Sequence, residues 1–218
     1  MKFRFTSTAS LFGLLFISLS SRGQSSITLS SGVSIDLNNK KPFYHIPISL
    51  QWKPFPNPGN PFTVGVEYGV PFGKMSTAKA YTANPSLPQQ VILQENIRSF
   101  IFTVNAGVRI FLFSVDEKNK LYLNISLGIC SQNFKVDYVN FDKTNYEVLN
   151  PDVKANWGGF VLSFAAVYNF HTANRDLQLR LHLQTSLLAD LGRYPLSYKS
   201  VAPLQLTFGY NFYYNKNK

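Results

Sequence analysis

Three histidines, His45, His171 and His182, are the clearest acid–base candidates in the chain. A histidine becomes a general base or a metal ligand only where partners converge on it. His45 with Ser49, and His182 with Ser186, would each share one face of an extended segment with an inward residue between them, and such a pair is the minimum for base and nucleophile. Acyl transfer also needs a group that orients the base and donors for an oxyanion, and no residue pattern identifies either. The histidines are scattered without zinc-site spacing. There is no phosphate-cradling glycine loop, no G-x-S-x-G elbow and no H-E-x-x-H helix. Cys130 is the only cysteine, which removes an intrachain disulfide and any multi-cysteine metal site. No catalytic residue, cofactor site or metal site is expected.

Two charged sets remain. Asp36, Glu67, Arg109, Arg180 and His182 are of mixed sign and sit among small polar residues. Buried charges persist when paired, so Glu67 is predicted to contact Arg109 or Arg180 within a structural network. The second set is Lys40, Lys41, Lys74, Lys79, Lys143, Lys154, Arg193 and Lys199, interspersed with Glu95, Asp142, Glu147, Asp152 and Asp190. Its cations could hold phosphate groups or an acidic partner, while the mixed signs equally suit a solvated surface.

The elements that must position these groups alternate with a period of two. Strands are predicted over residues 27–38, 43–52, 62–72, 98–113, 120–134, 157–170, 176–188 and 203–214. In the third, Phe62, Val64, Val66, Tyr68 and Val70 oppose Thr63, Gly65, Glu67 and Gly69. Pro47 weakens the second, because proline removes a ladder donor. Val161, Ala165 and Val167 blur the polar face of the sixth.

Side-chain size decides which solvent each face meets. The polar face carries Gly32, Gly65, Gly69, Gly107, Gly128 and Gly209, which suit the cramped interior of an eight-stranded barrel. The opposite face is bulky, aromatic and uncharged, as lipid requires. Residues 53–61, 114–119 and 171–175 are predicted as short turns, and residues 73–97, 135–156 and 189–202 as long loops at the other end, where only 38–42 is short. That alternation is the membrane-barrel pattern. Trp52, Phe62, Phe170, Phe212 and Tyr214 are expected near one rim, and Tyr44, Phe72, Phe100 and Phe160 near the other.

Lys2 and Arg4 precede a short apolar run over residues 11–19, and Ser21 and Gly23 supply small residues for cleavage before Gln24. The expected division is therefore a signal peptide over 1–23 and one barrel over 24–218. Loss of Lys2, Arg4 and Arg22 leaves a formal charge of +7 from +10, which favours anionic partners.

Signal peptide, eight strands, loop asymmetry and an aromatic last strand together resemble the small outer-membrane barrels of the OmpA and OmpX type, particularly those of Bacteroidota, and the PorT-like proteins. The resemblance covers residues 24–218 and implies an all-β, eight-stranded antiparallel up-and-down transmembrane barrel in the outer membrane. It implies outer-membrane lipid, lipopolysaccharide and other envelope proteins as partners, and no nucleic acid. The expected role is non-enzymatic, structural or docking. The rival readings are a lipid-A-modifying enzyme and an exported soluble, lipocalin-like carrier.

Overall fold

The alternating segments are strands in the computed structural model, which describes residues 25–36, 43–54, 61–116, 119–148, 157–172, 175–186 and 203–214. They are β1 (Ser25–Asp36), β2 (Tyr44–Lys53), β3 (Phe62–Pro71), β4 (Lys74–Tyr81), β5 (Gln90–Ser114), β6 (Lys120–Val139), β7 (Glu147–Val148), β8 (Trp157–Thr172), β9 (Arg175–Ser186) and β10 (Pro203–Tyr214). The expected leader over 1–23 lies outside the described residues.

Eight strands close a ring in the order β1, β2, β3, β5, β6, β8, β9 and β10, with every neighbouring pair antiparallel. Closure is made by β1 against β10 in an unbroken register from Ser25↔Tyr214 to Asp36↔Pro203. A full ring leaves no edge to satisfy, which is how a sheet with one greasy face avoids association. The predicted eight-stranded antiparallel up-and-down barrel is thus the observed fold.

Burial shows which face is which. Along β2, His45, Pro47, Ser49 and Gln51 are buried while Tyr44, Ile46, Ile48 and Leu50 are exposed. Around the ring the exposed set includes Leu29, Val33, Ile129, Leu181 and Phe208. The polar face is therefore the lumen, and the bulky face points out. The lumen is tightly packed where strands approach: a Cβ on Gly32 would collide with the Leu206 carbonyl oxygen, and one on Gly107 with the Ile125 carbonyl oxygen. Val161, Ala165 and Val167 are inward and at most 2% exposed, and Val161 packs with Ile101 and Cys130, so part of the lumen wall is apolar. Pro47 is accommodated by a gap: the β1–β2 register passes from Ser31↔Ile48 to Ser34↔His45, leaving its missing N–H unneeded. Trp52 has outward parity, opposite Ile27, yet is 5% exposed and so does not join the expected girdle.

The predicted loop over 73–97 is largely strand, and the one over 135–156 opens with the continuation of β6 to Val139. β4 pairs with the first third of β5, from Lys74↔Ile97 to Tyr81↔Gln90, and β6 continues beside β5 as far as Gln94↔Val139. β7 adds to β4 at Ala80↔Val148. The hairpin turns at Asn84–Leu87, where the Ser86 N–H donates to Asn84 Oδ1 at 3.0 Å. β5 has 25 residues, far beyond the roughly 9–11 that cross a bilayer. A sheet therefore projects from the ring at the end opposite the termini.

Candidate functional site

The lumen groups separate into three clusters. Midway, Glu67 on β3 is 3% exposed, and its Oε1 accepts from Gln205 Nε2 on β10 at 2.5 Å. Because the Gln205 amide nitrogen is turned to Glu67, its Oε1 is left as acceptor, and His182 Nδ1 donates to it at 3.1 Å. His182 Nδ1 also lies 3.8 Å from Glu67 Oε2. Gln205 thus bridges a histidine and a carboxylate across the barrel. Glu67 does not contact Arg109 or Arg180 as predicted: among the described residues no ion pair joins it to either. Arg180, buried on β9, acts on Glu67 through its field alone. Gln205 takes Oε1 of the carboxylate, while Oε2 has no hydrogen-bond partner among the described residues.

Toward the termini, Arg109 Nη2 donates to Gln51 Oε1 at 2.7 Å. Toward the far end, Asp36 is fully buried and its backbone N–H donates to the Phe43 carbonyl at 2.9 Å. Phe43 packs with Ile97, Phe134 and Val136 over this mouth, its ring 5.7 Å from that of Phe134. Of the five predicted network residues, the fold brings together Glu67, His182 and, at longer range, Arg180. Arg109 is near enough to Arg180 for their like charges to repel, and Asp36 lies toward the far end. Charge does not single out Gln205 and Gln51, whose only sequence signal is an inward position on alternating strands.

The histidine–serine pairs do not form. His45 Nε2 donates to the Ser99 carbonyl at 2.8 Å, and Ser49 shares a hydrogen bond with Ser30 at 2.5 Å. Ser99 Oγ accepts from Gln132 at 2.7 Å. His182 is directed to Gln205. His171 pairs with Asp176 at the opposite rim.

Of the cationic set, Lys74 lies with Nζ 4.7 Å from the Phe43 ring centroid. Lys79 is exposed on β4, on the same face as Met75 and Ile92, and Lys143 is exposed in the turn after β6. Lys40, Lys41, Lys154, Arg193 and Lys199 lie outside the described residues. On the projecting sheet Arg98 hydrogen-bonds Asp137, and Lys135 Nζ stands 3.6 Å from the same carboxylate. The Arg98 hydrogen bond, followed by the Lys135 charge, holds the Asp137 carboxyl below its ordinary range. Asp142 is held low by hydrogen bonds from the Asn145 side chain and the Thr144 backbone.

An antiparallel ring of eight strands with a polar, packed lumen defines a small up-and-down β-barrel. No protein-family model matches the chain, and no curated protein matches it in sequence. Among solved structures it is similar to Ail, the attachment invasion locus protein of Yersinia pestis, at 16% identity and a TM-score of 0.41, covering 88% of this chain and 99% of that one. Neisserial surface protein A aligns at 14% identity and 0.44, covering 86% and 94%. A major outer membrane protein of Thermus thermophilus aligns at 12% and 0.47, covering 86% and 99%. What each of these proteins binds is its own, and nothing passes to this chain at such identities.

Proposed function

We propose that the chain is an outer-membrane β-barrel of the OmpA/OmpX kind, exported by a leader over residues 1–23, that docks envelope components without catalysis. The observation supporting this is the inverted barrel: exposed leucine, isoleucine, valine and phenylalanine outside, hydrogen-bonded polar groups inside. Such a surface is stable in lipid, whereas in water it would be one large apolar patch. A lipocalin-like carrier needs the reverse arrangement, with its bulky residues lining the interior. The enzyme reading loses its motivation once His45 and Ser49 are engaged with different partners.

With both termini on the periplasmic side, the projecting sheet faces outward. Its basic residues Lys74, Lys79 and Lys143, joined by Lys40, Lys41, Lys154, Arg193 and Lys199 from the neighbouring connections, are the contacts for lipopolysaccharide phosphates or an acidic envelope protein. The first test is fractionation, with boiled and unboiled outer-membrane extract compared on a denaturing gel. A heat-dependent mobility shift in that fraction is the expected result, and a soluble periplasmic protein without one rejects the reading. Charge removal at Lys79 and Lys143 should then weaken binding to lipopolysaccharide vesicles, and unchanged binding would reject those contacts.

A further inference from the structure

At the termini end of the lumen two cations share one aromatic ring. Arg109 is 6% exposed, and its Cζ lies 5.5 Å from the centroid of Tyr122. Lys53 Nζ, at the end of β2, lies 5.6 Å from the same centroid. Arg109 Nη2 is taken by Gln51, while Nε has no hydrogen-bond partner among the described residues. Neither cation forms an ion pair with a described carboxylate. The acids near this region are paired with other groups: Asp176 with His171, facing Tyr213 at the rim, Asp116 with Asn119, and Glu67 with Gln205.

A buried cation persists where negative charge compensates it. The Tyr122 ring face offers part of that compensation, and one amide oxygen offers another. Both are neutral groups facing two positive charges. We propose that this mouth is a binding site for a small inorganic oxyanion of the phosphate class, held between Arg109 and Lys53. Arg109 supplies a planar fork whose Nε is still to be matched, and Lys53 supplies a mobile point charge for a further oxygen. Gln51 and Tyr122 are positioning residues that hold the guanidinium across the opening. Tyr213, 60% exposed on the inward parity of β10, places a phenol at the same rim. The site is at the opposite end of the ring from the projecting sheet, so it stands independently of the docking role.

The test uses the full chain refolded in detergent micelles, with folding verified by heat-dependent mobility. Inorganic phosphate is titrated at low ionic strength and followed by calorimetry and by phosphorus NMR line width. Saturable binding of one phosphate per chain is expected. Arg109→Gln and Lys53→Gln should each weaken it by about tenfold or more, as loss of one charge-assisted contact implies. Lys135→Gln, on the projecting sheet, should leave it unchanged. Absence of saturable binding overturns the proposal, as does binding that survives both mouth substitutions or falls with Lys135→Gln. Should Arg109→Gln fail to fold, Lys53→Gln at the partly exposed rim decides the question alone.

Discussion

Gln205 donates its side-chain amide to the Glu67 carboxylate at 2.5 Å across 138 residues of sequence, joining the last strand of the ring to the third. Gln205→Leu removes both the donor to Glu67 and the acceptor for His182, leaving a buried carboxylate poorly partnered. The expected cost is roughly 1.5–3 kcal/mol, the scale for a hydrogen bond to a charged group. Glu67→Gln keeps an acceptor without the charge and should cost less. Urea titration of the folded and unfolded gel bands measures both, and equal stability of Gln205→Leu and the parent would show that the bridge contributes nothing.

Close approach of neighbouring strands predicts a contrast between two glycines. A Cβ at Gly107 meets the Ile125 carbonyl and Ser126, whereas one at Gly158 meets only the Cys130 oxygen at 3.8 Å. Gly107→Val should destabilise by about 1–3 kcal/mol or prevent closure, and Gly158→Ala should be nearly neutral. The same mobility assay reads the fraction folded.

The outward face distinguishes lipid from water as its solvent. Leu181 is 50% exposed at mid-strand. In phospholipid vesicles Leu181→Arg should cost about 2–4 kcal/mol, the penalty near a bilayer midplane. On a water-facing surface the same change falls within about ±0.5 kcal/mol, and that smaller value would return the barrel to aqueous solution.

Acid should loosen the projecting sheet first. Asp137 has its folded value lowered by Arg98, and a lowered carboxyl contributes stability that is complete above its unfolded pKa of roughly 3.9 and lost as pH falls through the folded value. Hydrogen-exchange protection of residues 94–98 and 135–139, corrected for intrinsic rates, should hold from neutral pH to about pH 5 and decline below about pH 4. Asp137→Asn should abolish that pH dependence. An unaltered acid profile in the variant would remove the pair from any role in the sheet.

The ring is readable in the sequence because period-two alternation survives on all eight strands. The last of them, β10, has the bounds its Leu204, Leu206, Phe208, Tyr210 and Phe212 suggest. β4 is not readable: Met75, Thr77 and Lys79 alternate with Ser76 and Ala78, so neither face is apolar, and its strand character comes from pairing with β5. The lumen is legible in membership and not in contacts. Alternation places Glu67, Arg180 and His182 inside, but the stagger of strands around the ring decides which side chains meet. A reading based on charge alone passes over glutamines such as Gln205 and Gln51, which carry the bridging contacts.

The seam between β1 and β10 sets an order of events for the nascent chain. Ser25 is opposite Tyr214, so the first strand has its final neighbour only once residues 203–214 have been made. Until then the greasy surface of every strand lies along an open sheet with two raw edges, and the closing contacts have close to the greatest sequence separation the chain permits. Contacts so distant make for slow folding and a long interval of vulnerability to aggregation. Closure of the ring is therefore the last step that the sequence order allows, and it hides the raw edges of β1 and β10 together.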